Sequence, residues 1–486
     1  MGLLDAPAAS PAFVKNRIRN WAQAWMVNGV RDIGVMSAPP TVTYPNVSTS
    51  ALNASSNAAG LPAAGKYPQL AIAGANTYEV DSANSNANSL RARGPLNTDG
   101  SARDANLMRA RFKTIVPAFE VCFKENQGAR INALIDGQFV GLYDGRVPAG
   151  LQSGNTRYLQ FNFGTDVLSY GMAASNVGAG GTAYAVGDTV TMSGGTFTRA
   201  ATFRVRAVSG GVVTALTILD PGDYTVLPAF PAATTGGTGT GLTIGTGFRF
   251  PIHSVARPRN VELLIESAQL YGVNYATWAP GEAAITPYRF NPLLPKLYWF
   301  GDSQDAATYA VYAGGEVGYL TALRLGMADN VIIEAQGGTG FNCPNGVAPA
   351  FEHANRVNAI IAAAPDVCVF PYSQNVTGNT QETSQAAALG FLTQLQQALP
   401  KTLFVMIGPA FGFQSWHLAA MQYVMANAPD PRRIRMVDTI SEGWAAGASS
   451  GFLSTDNVHW GVAGNHQWRS RLLAESIGNA VFDMVQ

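Results

Sequence analysis

Four short stretches near the C-terminal end hold the residue types that acyl transfer needs. Gly301-Asp302-Ser303 offers a hydroxyl. Asp456-Asn457-Val458-His459 offers an imidazole with a carboxylate three residues before it. Between them, Gln336-Gly337-Gly338-Thr339-Gly340 and Tyr372-Ser373-Gln374-Asn375 offer glycine amides and a side-chain amide. A serine hydroxyl is a weak nucleophile and needs a base within hydrogen-bond reach. Histidine is that base, and a carboxylate on its second nitrogen fixes the tautomer. The developing oxyanion needs preorganised N–H donors, and glycine lets a backbone N–H come close to the substrate. Taken singly, Gly-Asp-Ser and Asp-x-x-His read equally well as a turn or a helix cap.

The elements that must position these residues give them their weight. From Leu297 onward, short apolar runs alternate with helical stretches. The strands are expected at Leu297–Phe300, Val331–Glu334, Asp366–Pro371, Leu403–Ile407 and Ile434–Val437. The helices are expected over about 306–327, 347–364, 380–399, 413–427 and 462–484. Such alternation predicts a parallel sheet covered on both faces. Ligands then sit outside the carboxyl ends of the strands, and the first three stretches directly follow predicted strands.

In type and order, Gly301-Asp302-Ser303, Gly338, Asn375 and the pair Asp456/His459 resemble the four sequence blocks of the SGNH (GDSL-like) hydrolase superfamily. The stretch of about 190 residues suits that family. The resemblance implies a flavodoxin-like three-layer α/β domain over 291–486. Ser303 would be the nucleophile, His459 the base, and Asp456 the residue that orients it. The oxyanion hole would comprise the Ser303 N–H, the Gly338 N–H and the Asn375 side chain. Gly337 is an alternative to Gly338, and Asp302, Gly337 and Trp460 would line the cleft. No metal or cofactor is implied. The chain departs from the family pattern at Ala307, where a glycine is usual. It departs again in the third block, which reads Ser373-Gln374-Asn375-Val376 where Gly-x-Asn-Asp is usual.

The front of the chain reads differently. Residues 1–110 are expected to form an attachment or oligomerisation region, although the apolar stripe of its helix reads equally as a face packed on its own domain. It begins with a helix over 11–32 whose Val14, Ile18, Trp21 and Trp25 make one apolar stripe, and continues as extended, irregular chain. Period-two alternation at Phe119, Val121 and Phe123, and a turn at Asp136-Gly137, start an all-β sandwich expected over 111–290. A Gly/Thr-rich stretch, 165–246, reads as a small β-domain inserted into it. This order, sandwich then α/β domain, resembles that of family-two carbohydrate esterases.

Composition narrows the function classes. Charged residues make up only 13% and the formal net charge is zero, so a nucleic-acid partner is not expected. No stretch is long and apolar enough to suggest membrane insertion, and no secretory signal is evident at the start. The three cysteines, Cys122, Cys343 and Cys368, form no Cys-x-x-Cys pair, and His253, His353, His417 and His466 show no metal spacing. Gln304 and Asp305 read as a helix first turn or as substrate contacts.

The leading reading is a serine esterase that removes O-acetyl groups from a bacterial surface polysaccharide. The overall layout is similar to bacteriophage tail fibre and tailspike esterases. That similarity implies a homotrimer made in the host cytoplasm, carried in the virion, joined to other virion proteins through its N-terminal region, and acting outside the cell. Two alternatives stand beside it: a catalytically inactive receptor-binding or structural virion protein on the same scaffold, and a bacterial esterase for small esters or lipids.

Overall fold

The computed structural model describes residues 32–36, 70–81, 89–144, 156–163, 167–174, 176–247, 249–253, 256–275, 285–306, 313–314, 316–376, 378–409, 414–444, 459 and 463–485. The chain divides into two compact units. One comprises 1–114, 118–161 and 258–486, and the other 115–117 and 162–257.

The first unit contains a ten-stranded sheet, antiparallel in the pairings described here, and a five-stranded parallel sheet. The antiparallel sheet is built on two long strands, Ala118–Ile135 and Arg259–Tyr275, which pair from Val261 opposite Ile135 to Tyr275 opposite Phe119. Phe119, Val121 and Phe123 are buried, as the alternation requires. Asp136 and Gly137 both have positive φ, 53° and 82°. That is the two-residue turn which twists as the flanking strands do, and Ile135 faces Gln138 across it.

The expected start of this sheet at 111 is too late. Ala71–Ala73, Thr77–Asp81, Ser89–Arg93 and Met108–Thr114 are strands of it. Ala71–Ala73 pairs with Met108–Thr114, and Leu90 faces Leu270. Strands this short, or broken by charges as in Ser-Leu-Arg-Ala-Arg, carry little β signal of their own; the long strand Arg259–Tyr275 pairs with two of them directly. The expected helix over 11–32 lies outside the described residues except for Asp32, which begins the strand Asp32–Met36.

The parallel sheet comprises β1 (Leu297–Gly301), β2 (Val331–Ala335), β3 (Val367–Pro371), β4 (Leu403–Ile407) and β5 (Ile434–Val437). Its order is β2-β1-β3-β4-β5, with every neighbouring pair parallel. The helices are α1 (Val317–Leu325), α2 (Ala354–Ala363), α3 (Gln381–Ala398), α4 (His417–Asn427) and α5 (Ala463–Val485). Alternate strand residues feed two separate cores. Leu297, Trp299, Val369, Val405 and Ile407 pack with residues of α1 and α5, with Leu134 and Leu264 of the antiparallel sheet, and with Leu107 just before its strand Met108–Thr114. Tyr298, Phe300, Phe370, Phe404 and Met406 pack with residues of α2, α3 and α4. A strand buried on both faces has no polar period, which explains the unbroken apolar runs. Each large side chain so buried contributes about 1.5–3 kcal/mol.

Two helices start later than their expected positions. Residues 303–306 form turns, and α1 begins only at Val317, after Gly314 (φ 73°). A glycine there costs about 1 kcal/mol in a helix interior and permits the left-handed turn. Likewise α2 begins after His353, whose Nδ1 accepts the Asn355 N–H at 3.2 Å.

The second unit holds a six-stranded and a four-stranded sheet around Met172, Val190, Phe203, Val205, Tyr224 and Ile244. It extends past the expected 165–246 because Leu168–Met172 pairs along its length with Arg249–His253.

Candidate active site

In a 2-1-3-4-5 sheet the strand order reverses between β1 and β3, and the crevice opens at their carboxyl ends. Asp302 and Ser303 leave β1 there, Gln336–Gly340 leave β2, and Tyr372–Asn375 leave β3.

The β1 turn is tightly specified. Asp302 Oδ1 accepts the Gln304 N–H at 2.8 Å, and the Asp305 N–H reaches the Asp302 carbonyl at 3.2 Å. Gly301 has no room for a side chain, because a Cβ there would overlap the Asp305 carboxyl. Ser303 is 9% exposed, so its side chain sits at the edge of the interior.

Gly337 lies beside this serine: a Cβ at 337 would stand 3.7 Å from Ser303 Cβ. Gly338 adopts φ 75°, and a Cβ there would meet Asn345 Nδ2 at 2.5 Å. Asn345 Nδ2 itself donates to the Gly337 carbonyl at 3.0 Å. Both the backbone region and the close approach therefore demand glycine at 338. Of the two glycines, 337 is the immediate neighbour of Ser303 and 338 sets the turn.

Asn375 joins the same cluster. Its Nδ2 donates to the Thr339 carbonyl at 3.0 Å, which uses one of its two hydrogens. Its backbone N–H donates to Ser373 Oγ at 3.0 Å.

His459 is half-buried. Burial raises the Asp302 pKa, while hydrogen bonds from Ser373 and the Gln304 N–H, and the charges of Arg469 and His459, oppose it. The expected orienting residue Asp456 and the expected cleft residue Trp460 lie outside the described residues.

Residues that the sequence reading passed over support the loops. Arg356, on α2, is fully buried. It donates to Glu334 Oε2 through Nε (3.1 Å) and Nη2 (2.9 Å), to the Gly301 carbonyl (2.9 Å) and to Thr339 Oγ1 (3.0 Å). Its guanidinium stacks over Phe300, 4.0 Å from the ring centre. Arg103 Nη1 reaches Glu334 Oε1 at 2.9 Å, and Asn106 Oδ1 accepts the Ala335 N–H at 2.8 Å. Two charges stood in the sequence as signals: Glu334 interrupts an apolar strand, and Arg356 lies one turn before Ile360 on the inward stripe of α2.

Gln304 and Asp305 are buried rather than exposed to a substrate. Asp305 accepts from Trp299 Nε1 at 3.1 Å. Burial pushes its pKa up to about 7, against the opposing pull of Arg469. His417 is buried between the rings of Trp416 and Tyr372, and burial lowers its pKa to about 4. His466 is buried in α5. Among the described residues no group of three or more His, Cys, Asp or Glu is placed to hold a metal ion. No described helix is long and apolar enough to cross a membrane.

No protein-family model matches the chain, and no curated protein matches it in sequence. Solved structures with a similar outline include a family two carbohydrate esterase from Clostridium thermocellum, an active site mutant in complex with a cellohexaose ligand. It is 12% identical, covers 85% of this chain and 98% of its own, and has a TM-score of 0.47. A salicylyl-acyltransferase from a tetracycline biosynthetic pathway is 10% identical, with 85% and 96% covered and a TM-score of 0.47. An acetyl xylan esterase from the rumen bacterium Butyrivibrio proteoclasticus is 11% identical, with 85% and 96% covered and a TM-score of 0.42. At these scores the reading of the site rests on its own geometry.

Proposed function

We propose that the parallel-sheet domain is a serine esterase centre of the SGNH type. The observation that carries this reading is the meeting of Ser303, Gly337, Gly338 and Asn375 at one end of the sheet. In the proposed reaction Ser303 Oγ attacks the ester carbonyl while His459 takes its proton, with Asp456 holding the imidazole. The oxyanion is held by the Ser303 N–H, a glycine N–H from 337 or 338, and the free hydrogen of the Asn375 amide. His459 returns the proton to the departing alcohol, and water then hydrolyses the acyl-serine.

For the substrate we propose an O-acetyl group on a neutral bacterial surface polysaccharide. The setting would be a trimeric phage tail protein acting outside the cell. Composition supports this part: the chain is weakly charged, Gly-rich and largely β-structured.

The test is hydrolysis of p-nitrophenyl acetate by the protein and by Ser303→Ala. Activity in the first and at least a 1,000-fold loss in the second support an esterase, in line with the loss on removing a serine nucleophile. Acetate release from intact O-acetylated polysaccharide then tests the substrate class. One observation favours a second reading, an inactive binding scaffold: Asn375 spends an amide hydrogen on Thr339, within a third loop that departs from the family pattern. Equal, background-level rates for both proteins would decide for it.

A further inference from the structure

We infer that Ser373 is a positioning residue that ties the serine, glycine and asparagine loops into one rigid unit; the inference rests on the esterase reading above. Ser373 occupies the place where the resembled family usually has a glycine, so the family pattern assigns its side chain no role. The hydroxyl is buried and sits among three loops. It donates to Asp302 Oδ2 at 2.5 Å, lies 3.1 Å from the Thr339 carbonyl, and accepts the Asn375 N–H at 3.0 Å. One hydroxyl carries one hydrogen. The shorter, charge-assisted partner takes it, so Asp302 is the acceptor and the lone pairs serve Asn375. The Thr339 carbonyl is then satisfied by Asn375 Nδ2 at 3.0 Å. A continuous series of hydrogen bonds results, from Asp302 through Ser373 and Asn375 to Thr339, with Thr339 adjoining Gly338. Gly340 packs closely beside it: a Cβ there would overlap the Asn375 carbonyl and stand 3.2 Å from Ser373 Cβ.

This series fixes two things that acyl transfer needs together. It aims the remaining Asn375 amide hydrogen, and it sets the distance from the glycine loop to the turn that carries Ser303. Oxyanion donors work because they are fixed before the charge appears. A misplacement of about 1 Å costs on the order of 100-fold in rate. The hydroxyl touches no substrate in this scheme; it acts through Asn375.

The experiment compares wild type, Ser373→Ala, Asn375→Ala and the double variant on p-nitrophenyl acetate. Backbone hydrogen exchange of residues 339 and 373–376 is measured alongside. We expect Ser373→Ala to lower kcat by about 10- to 100-fold with KM within about twofold. The double variant should be no slower than Asn375→Ala alone, because coupled residues are not additive. Exchange at Asn375 should speed up in Ser373→Ala. An unchanged kcat, or fully additive losses, overturns the inference. If the wild type hydrolyses nothing, the esterase reading falls, and exchange alone decides whether Ser373 joins the loops: unchanged exchange at Asn375 overturns that too. Ser373→Cys, which fills similar space with a weak donor, replaces the alanine variant if the latter does not fold.

Discussion

Replacing Arg356 with methionine is the sharpest test of how the loops are held. The guanidinium has five N–H hydrogens, and the structure gives it five acceptor contacts: two to Glu334 Oε2, and one each to Thr339 Oγ1, the Pro349 carbonyl and the Gly301 carbonyl. Methionine keeps most of the stem's volume and removes every donor. Breaking a buried ion pair by deleting one partner costs about 3–5 kcal/mol. The lower end applies here. Glu334 Oε1 keeps Arg103 and Gln336, and the Gly301 carbonyl keeps the Gln336 N–H. A loss of about 3 kcal/mol corresponds to a fall in Tm of roughly 6–12 °C for a domain of this size. The assay is thermal unfolding followed by circular dichroism, with Glu334→Gln and the double variant completing a cycle. We expect the double variant to lose less than the two single losses combined. A Tm fall under about 2 °C for Arg356→Met would show that the buried pair holds nothing.

Three further outcomes follow from the same coordinates. Gly338→Ala forces a side chain into the left-handed region against Asn345, so we expect about 1–2 kcal/mol of destabilisation and a loss of esterase rate larger than any change in KM; an active, equally stable variant would refute the assignment of that turn. Asp305 has a folded pKa near 7, above its unfolded value, so the native state binds the extra proton between about pH 4 and 7 and stability declines as pH rises through that window. Urea unfolding of Asp305→Asn should lack this decline, and an unchanged slope would contradict it. For His417 the sign is reversed: its pKa is depressed to about 4, so the unfolded chain binds the extra proton below about pH 6.5 and stability rises from pH 4 to 6.5. A His417→Gln protein should show a flatter profile over that range, measured the same way.

What the sequence disclosed, and what it withheld, divides along physical lines. The five parallel strands were legible because burial on both faces leaves unbroken apolar runs such as Val-Cys-Val-Phe and Leu-Phe-Val-Met-Ile. The positions of Ser303, Gly338 and Asn375 followed, since loops after such strands converge. The early strands of the antiparallel sheet were not legible: Ala71–Ala73 and Ser89–Arg93 are held by partners far along the chain, such as Leu270 opposite Leu90. The supporting ions, Arg356 with Glu334 and Arg469 near Asp302 and Asp305, depend on contacts across elements. Periodicity shows only that a charge falls on an inward stripe, and it does not name the partner.

The chain enters and leaves the second unit on adjoining antiparallel strands, with Leu168 opposite His253. Paired residues in such a ladder stand about 5 Å apart at the backbone. The intervening 84 residues are therefore a side loop in the topological sense. They can be shortened, exchanged or excised behind a short peptide link without re-threading any strand of the ten-stranded sheet. Recombination at these two points offers a lineage a way to trade one β-module for another while the unit that carries the parallel sheet stays as it is.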